Sequence, residues 1–348
     1  MKGWVYSVAV LMLAACSTQK TEPIDRLALV TRNNPQVTAV DSLSSLSVGN
    51  GGFAYTVDIT GLQTFPEVYS NGVPLGTQSQ WGWHSFANPE KFRREEYLKE
   101  FDFGKGHKEL YACQFKEKGR QHDASEWYRI NPHRLHLGIV GLETGDSVTV
   151  SQVKDIHQTL DMWNGEIDSR FSLDGTAYHV QTVCHPSLDM IAAHISSQIH
   201  PAVKLRFPYP TGKHSDDACD WNSDDRHSTT LLTQDAHSAV LKRELDSTVY
   251  YVTVCWEGEA TVTEKKKNYF VLTPADTVLS FTCLFTPEQP TVPDITFAQA
   301  EKASAAYWNG YWQKGGVADF SQCTDPRAKE LERRVVLSQY LLAIQCAG

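Results

Sequence analysis

The sequence predicts a mainly β fold: a large antiparallel β-sandwich followed by helices. Between about residues 43 and 287, short apolar runs alternate with turn residues, and no helical pattern lies between them. Many short strands without intervening helices favour stacked antiparallel sheets over a parallel α/β sheet. After Pro293 the apolar residues take helical spacing, so the chain is expected to change from strands to helices there.

Two dipeptides predict the best-defined part of the sandwich. Asn164-Gly165 and Asp174-Gly175 are typical of two-residue hairpin turns, in which both central residues take a positive φ. Apolar and polar residues alternate between them, as expected for a strand with one buried face. The pattern predicts a three-stranded meander over roughly 155–184, with further strands that include one at 147–153.

Two helices are predicted after the strands. Thr296 and Gln299 form a capping-box pattern at the start of the first helix. Asp325 and Pro326 begin the second helix, whose apolar residues up to Ile344 occupy most of its circumference. Such a helix needs apolar partners on several sides. We therefore expect further helices around it, and we expect the chain to stop inside a second domain.

The first sixteen residues have the pattern of an exported lipoprotein. Lys2 precedes a short apolar run, and small residues precede Cys16. The run is too short to cross a bilayer as a helix. The segment is similar to a bacterial lipobox, which implies a signal peptide over 1–15, lipid attachment at Cys16, a tether over 16–25, and anchoring in the outer membrane of a Gram-negative bacterium. An ordinary cleaved signal peptide is the alternative.

Composition excludes several classes of partner and site. The 348-residue chain has a formal net charge of −9 and no basic stripe, so it is a poor partner for a nucleic-acid backbone. The seven cysteines after Cys16 show no C-x-x-C spacing, and we expect mostly free, buried thiols. No metal-binding, phosphate-loop or nucleophile-elbow motif is found, so neither a metal nor another cofactor is expected. Homo-oligomerisation stays open.

Three stretches, in this order along the chain, resemble the six-hairpin glycosidases, especially relatives of glycoside hydrolase family 65. They are Leu46 to Thr64, Trp81 to Phe86, and a series from Tyr307 to Arg334. The resemblance implies a super-sandwich over 26–290, a helical linker over 291–323, and the first helix of a truncated (α/α)6 barrel over 324–348. It also implies glycosidic bond cleavage by barrel residues beyond the chain end. No catalytic residue is therefore assigned, and whether this chain is an enzyme stays open.

The first group of candidate sugar contacts is aromatic. Trp81 and Trp83 lie two residues apart, so an extended segment would point both rings to one face. His84 would add a polar edge for sugar hydroxyls. The alternative is an aromatic pair packed at a domain junction.

The second group lies on a polar loop over roughly 207–227. It carries His214, Asp217, Asp220 and Trp221, which could reach over a sugar cleft. The alternatives are a solvated acidic loop or a loose cation site. An EF-hand is rejected because the glycine and the final glutamate of its calcium loop are missing.

Two functions follow from these observations. The leading hypothesis is the N-terminal part of a lipid-anchored glycoside hydrolase that acts on oligo- or polysaccharides. The alternative is a surface lipoprotein that binds glycans without catalysis. Both predict a carbohydrate partner and a membrane attachment through the N-terminal lipid.

Overall fold

The computed structural model describes residues 23–145, 147–213 and 218–345. It confirms the mainly β fold, with a large antiparallel sheet and the two longest helices near the C-terminal end. Cys16, His214 and Asp217 lie outside the described residues.

Five α-helices occur in the described ranges: α1 (Arg26–Thr31), α2 (Pro66–Tyr69), α3 (Arg120–Ile130), α4 (Phe297–Trp312) and α5 (Ala328–Gln345). Short 3-10 helices occupy Arg94–Tyr97, Val150–Gln152 and Asp224–Arg226. None of the helices in these ranges combines the length and the hydropathy needed to span a bilayer.

Twenty-two strands complete the described secondary structure. The first eleven are β1 (Gln36–Val37), β2 (Leu46–Gly49), β3 (Phe53–Val57), β4 (Thr77–Ser79), β5 (Trp83–His84), β6 (Leu98–Asp102), β7 (Lys108–Ala112), β8 (His133–Arg134), β9 (Ile139–Leu142), β10 (Val153–Asp161) and β11 (Glu166–Leu173). The others are β12 (Thr176–Cys184), β13 (Met190–Ser197), β14 (Val203–Arg206), β15 (Tyr209–Pro210), β16 (Cys219–Asp220), β17 (His227–Gln234), β18 (Ser238–Leu245), β19 (Thr248–Trp256), β20 (Ala260–Lys266), β21 (Tyr269–Pro274) and β22 (Val278–Thr286).

The largest sheet has nine strands in the order β1-β10-β11-β12-β13-β22-β19-β18-β17, and all its described pairs are antiparallel. The predicted meander is its β10-β11-β12 segment. Asp174 and Gly175 both have positive φ, as a two-residue turn requires. The other turn differs from the prediction, because four residues separate β10 from β11 and only Gly165 among them has positive φ.

The strand predicted at 147–153 is wrong. Thr149 and Gln152 form a capping box that closes a 3-10 turn over 150–152, and the strand begins only at Val153. Conversely, β18 was not predicted, although it pairs with β17 on one side and β19 on the other.

Two smaller sheets complete the sandwich on the inner face of the nine-stranded sheet. The four-stranded sheet has the order β20-β21-β14-β9, and the three-stranded sheet has the order β2-β3-β4. The Gln158 side chain donates to the carbonyl of Asp58, and the Tyr55 hydroxyl donates to the carbonyl of Val140. The segment after β2 is thereby held between the nine-stranded sheet and the four-stranded sheet. Buried apolar residues from all three sheets form one continuous core.

Helix α4 covers part of the outer face of the nine-stranded sheet. Phe297 and Ala300 pack against Val183 and Ala192 of β12 and β13. At the other end of the helix, the indole nitrogen of Trp312 donates to the carbonyl of Met162 at 2.6 Å. The helix is therefore fixed to the meander at both ends.

Helix α5 is buried along a single stripe. Ala328, Glu332, Val336, Tyr340 and Ile344 recur every fourth residue and are the buried positions of the helix. The Tyr340 hydroxyl donates to the carbonyl of Ser47 in β2 at 3.0 Å. On the other side of the helix Leu331 and Leu342 are 52% and 59% exposed. Burial by other helices therefore stays a prediction.

Residues 86–132 form a surface excursion between β5 and β8. It contains α3 and a hairpin of β6 and β7, which in the described chain pair only with each other. The hairpin exposes the rings of Phe101, Phe103 and Tyr111. The excursion returns to the sandwich where Trp83 pairs with Arg134.

Candidate ligand-binding cleft

A cleft of about 720 Å³ opens between the three-stranded sheet, α2, β8 and the loop of residues 218–221. Residues 51–54 and Ile344, at the end of α5, are part of its lining. The polar and aromatic residues that line it include Glu67, Gln78, Gln80, Arg134, His136 and Trp221. Segments far apart in sequence therefore meet at one concave surface, as small-ligand sites commonly require.

Trp221 forms the loop side of the cleft and is held from two directions. The edge of the His136 ring lies 5.6 Å from the indole, between centroids. The Arg206 guanidinium lies 5.0 Å from the indole centroid and also donates to the Trp221 carbonyl at 3.1 Å. A guanidinium over an indole face is an attractive cation–π contact. The ring is therefore fixed by its neighbours.

His136 acts in this contact as a neutral ring. Its Nε2 donates to the carbonyl of Leu75 at 3.1 Å, while its Nδ1 accepts from the amide of Gly138. Burial lowers the pKa of His136 to about 4. Near pH 7 the imidazole is uncharged, so it supports Trp221 by packing and brings no positive charge.

Trp83 stands at the rim, next to the cleft residue Arg134. The Arg134 guanidinium lies 4.1 Å from the Trp83 ring centroid and donates to the carbonyl of Ser79 at 2.7 Å. Trp83 itself is 42% exposed, and its indole nitrogen donates to the carbonyl of Gln80. The predicted residue Trp83 thus belongs to the cleft region through Arg134.

Trp81 does not share a face with Trp83, so that part of the prediction is wrong. The segment turns instead of extending, because the amide of Gly82 donates to Ser79 and that of Trp83 donates to Trp81. The Trp81 ring packs 6.0 Å from Tyr250, and its indole nitrogen donates to Asp189 at 2.7 Å. Trp81 therefore has the packing role that the sequence left open.

His84 is buried and does not line the cleft, contrary to its suggested role as a polar edge. Its Nδ1 lies 2.9 Å from the Thr248 hydroxyl, and its Nε2 lies 3.1 Å from the Asp246 carboxylate. Burial lowers the pKa of His84, although Asp246 opposes the shift. The Tyr209 hydroxyl donates to the same carboxylate at 2.6 Å. His84 therefore ties the Trp83 segment to the start of the polar loop.

Asp220 shapes the loop beside Trp221. Its carboxylate accepts hydrogen bonds from the Ser223 hydroxyl and from the amide of Asn222. The Ser223 and Asn222 hydrogen bonds lower the pKa of Asp220. An aspartate that accepts bonds from the residues just after it closes a local turn. The observed role of Asp220 is therefore to stabilise the turn that contains Trp221.

The described lining favours binding over bond cleavage. Among the described residues that line the cleft, Glu67 is the one carboxylic acid, whereas glycoside hydrolysis generally uses two. Burial raises the pKa of the lining Cys219 to about 12, so near pH 7 it is a thiol and a poor nucleophile. All six described cysteines are free, as the sequence predicts for most of them, but of these six only Cys184 and Cys283 are buried.

Comparison with known proteins gives matches among solved structures. No protein-family model matches the chain, and no curated protein matches it. A structure described as "Putative kojibiose phosphorylase from human microbiome" matches at 10% identity and a TM-score of 0.49, covering 87% of this chain and 39% of that one.

Two structures of the family GH92 α-mannosidase BT3965 from Bacteroides thetaiotaomicron also match. One has 10% identity and a TM-score of 0.33, covering 60% of this chain and 32% of that chain. The other, in complex with mannoimidazole, has 9% identity and a TM-score of 0.39, covering 92% and 40%. This chain spans at most about two fifths of the length of these proteins.

Proposed function

We propose that this chain provides the β-sandwich of a lipid-anchored enzyme that cleaves glycosidic bonds, and that its cleft binds part of the saccharide. The proposal rests on the kinds of side chain that line the cleft. One fixed indole, two glutamine amides and an arginine converge on a cleft of about 720 Å³.

The chemistry of this lining suits a sugar. A pyranose ring has C–H-rich faces that pack against the negative face of an aromatic ring. Its hydroxyls need donors and acceptors together, and the amides of Gln78 and Gln80 supply both. Arg134 adds a fork of donors. Trp221 would orient the ring, and the polar side chains would select its hydroxyls.

In this proposal the bond-breaking carboxylates belong to a helical domain that packs on the uncovered side of α5. The exposed Leu331 and Leu342 support this arrangement, because neighbouring helices bury such leucines in helical bundles. The end of α5 also reaches the cleft, where Ile344 is part of the lining. A helical domain built onto α5 would therefore stand next to a bound saccharide.

A non-catalytic glycan-binding lipoprotein is the second candidate. The exposed ring of Trp83 at the rim favours it, since an accessible indole next to a cleft can bind a glycan without any chemistry. In that case the same cleft residues would bind sugar, and no catalytic domain would be needed.

Binding is tested by titration calorimetry of the purified chain with kojibiose, maltose and α-1,2-mannobiose. We expect at least one sugar to bind and Trp221→Ala to weaken it by ~10-fold or more, as for a buried aromatic anchor. Tyr307→Ala, a change to an exposed ring on α4, is the matched control and should bind as the wild type does. Absence of heat with every sugar, or equal affinity for Trp221→Ala, contradicts the proposal.

An activity assay tests where the catalytic carboxylates lie. With the same sugars, with and without inorganic phosphate, we expect this chain alone to release no reducing sugar above a blank. Turnover that survives Glu67→Gln would contradict the location of the catalytic carboxylates in a separate helical domain. Turnover abolished by Glu67→Gln would place the chemistry in the cleft, which contradicts that location too.

Lipid attachment is tested by growing the expressing bacteria with labelled palmitate. The wild-type chain should carry label in the membrane fraction, whereas Cys16→Ala should carry none. Equal labelling of the two, or a wild type without label, would contradict the anchor and leave the cleft proposal untouched.

A further inference from the structure

One buried arginine holds both ends of the loop that carries Trp221. Arg243 lies in β18 with its side chain completely buried in the sandwich. Its Nη2 donates to the carbonyl of Pro208, where the loop begins, at 3.2 Å and to the Nδ1 of His227, where the loop ends, at 2.8 Å. Residues 208 and 227 are thus joined through a single guanidinium.

The other nitrogens of Arg243 are also bound, and all its partners are neutral. They are the Ser228 carbonyl, the Thr229 hydroxyl, the Asn268 amide oxygen and the Tyr250 hydroxyl. Burial lowers the pKa of Arg243, which measures how unfavourable the charge is there. A buried charge without an acidic partner is tolerated only when its donors are satisfied, so the loop ends are held in one geometry.

His227 is suited to this contact because it is uncharged. Burial, followed by the nearby Arg243, lowers the pKa of His227 to about 4. The neutral ring carries one proton, and because the guanidinium can only donate, Nδ1 is the unprotonated nitrogen that accepts from the arginine. A charged imidazole would repel the guanidinium and leave that donor without a partner.

Further contacts fix described residues of the loop between its ends. Arg226 donates to the Tyr209 hydroxyl at 2.9 Å and lies 3.9 Å from the centroid of that ring, which closes the base of the loop. Arg206 then holds Trp221 itself, through its carbonyl and its ring. Arg206 belongs to β14, inside the four-stranded sheet, so Trp221 is attached to a rigid element.

We propose that Arg206 is the positioning residue for Trp221 and that Arg243 anchors its loop, so that this wall of the cleft is formed before a saccharide arrives. The inference rests on the proposed function of the cleft. A preformed wall loses little conformational entropy when the ligand binds, which raises affinity without any added contact. Arg206 acts through Trp221 and needs no contact with the sugar.

The first test needs no ligand. Amide hydrogen exchange over residues 219–226 should be faster by ~10-fold in Arg206→Met than in the wild type, while β12 and β13 stay unchanged. Arg206→Lys keeps the charge but loses the planar fork, so it should also exchange faster. Arg170→Met, which removes an arginine from the exposed face of β11, is the matched control. If amide exchange over residues 219–226 is as slow in Arg206→Met or Arg206→Lys as in the wild type, the positioning role of Arg206 is overturned.

The second test uses the sugar from the calorimetric panel that binds the wild type most tightly. Arg206→Met should bind it ~10-fold more weakly, with a melting temperature close to that of the wild type. If Trp221→Ala loses binding while Arg206→Met keeps it, the positioning role is overturned and the proposed function stands. If no sugar binds the wild type, the proposed function fails, and the exchange experiment alone decides on the loop.

Arg243 needs a milder variant, because Arg243→Met removes a buried hub and can prevent folding. His227→Phe keeps a ring but removes the Nδ1 acceptor at the end of the loop. We expect it to fold and to speed exchange over residues 219–226. Folded His227→Phe with wild-type exchange in the loop would overturn the anchoring role of Arg243.

Discussion

The two C-terminal helices are similar in length and each buries five residues, but they differ in the partners they meet and in how much of their remaining surface is exposed. Helix α4 has 16 residues and α5 has 18. Helix α4 lies between the meander and α5, so it has partners on two sides. Helix α5 packs against β2, β3 and α4, and its leucines on the other side are exposed. Two helices can thus bury the same number of residues along one stripe and still leave different amounts of apolar surface exposed on their other side.

The two helices meet through a stacked aromatic pair and through a hydrogen bond from the Tyr311 hydroxyl to the Gln339 carbonyl. The Trp308 ring of α4 stacks on the Tyr340 ring of α5 at 4.5 Å between centroids, and both residues are buried. Gly165 of the meander approaches the same indole so closely that an added Cβ would lie 2.1 Å from it. Trp308 of α4 therefore contacts both the meander and α5.

The largest effect is expected where α4 has partners on both sides. Trp308→Ala removes a buried indole that three elements share, and it should lower the free energy of unfolding by about 3–5 kcal/mol. Urea unfolding measures it. The matched control is Tyr307→Ala, whose ring is 38% exposed on the same helix and should cost about 1 kcal/mol or less. Equal losses in the two variants would contradict the importance of the shared contact.

A smaller effect is expected at the polar contact of α5. Glu332 accepts from Arg32 at 2.9 and 2.8 Å, and it also accepts from Asn33 and from the amide of Phe320. Glu332→Gln weakens these bonds and should cost about 2 kcal/mol at pH 7. Glu330→Gln, an exposed carboxylate on the same helix, is the control and should be close to neutral. A neutral Glu332→Gln would show that this end of α5 is held by packing alone.

The same carboxylate predicts a pH dependence. The hydrogen bond from Arg32 lowers the pKa of Glu332 in the folded chain below its unfolded value of about 4.3. Its contribution is therefore complete above that pH and is lost as the pH falls through the folded pKa. The stability difference between wild type and Glu332→Gln should be constant from pH 7 to about 5 and shrink below about 4. A difference that grows on acidification would contradict the direction of the shift.

Removing a single hydroxyl from α5 should have a still smaller effect. Tyr340→Phe keeps the stacked ring and removes the hydrogen bond to the Ser47 carbonyl, at a cost of about 1 kcal/mol. Chemical unfolding of the wild type and the variant at one pH measures it. A loss as large as that of Trp308→Ala would mean that the hydrogen bond, and not the stacking, joins α5 to β2.

The smallest effect is expected on the uncovered side of α5. Leu342→Ser should change the stability of this chain by no more than about 0.5 kcal/mol, because the side chain is mostly exposed. Its matched partner on the same helix is Val336→Ser, which lies on the buried stripe and should be strongly destabilising. Comparable losses would show that the leucine side of α5 is already covered.

Local signals made much of the sandwich predictable. Asp174-Gly175 demands positive φ at two neighbouring residues, and the turn is found where the dipeptide lies. Strand β18 escaped prediction because its inward positions carry Arg243 between Leu241 and Leu245, and a charge there breaks the apolar alternation. Arg243, which interrupts the apolar pattern of β18, is also the residue that we propose as the anchor of the Trp221 loop.

The cleft was less predictable, because its parts come from distant segments. Trp221 was found as an aromatic residue in a polar loop, but nothing in the sequence connects it with Arg206 or His136. Arg134 reaches Trp83 only because β5 pairs with β8 across the whole surface excursion. The rule of alternating faces failed at Trp81 because a tight turn replaced the strand it assumes. The spacing of residues within a short segment does not predict such long-range pairing.

The β6–β7 hairpin offers a place to attach a probe. Its tip contains Gly104 and Gly106, both with positive φ, and a Cβ added at either would meet no atom within 4 Å. Exposed turns of this kind tolerate inserted residues well. A fluorophore or an epitope placed between residues 104 and 106 would stand clear of the packed core. Antibody access to that epitope on whole cells would then report on which face of the proposed membrane anchor the chain lies, without altering any residue of the cleft.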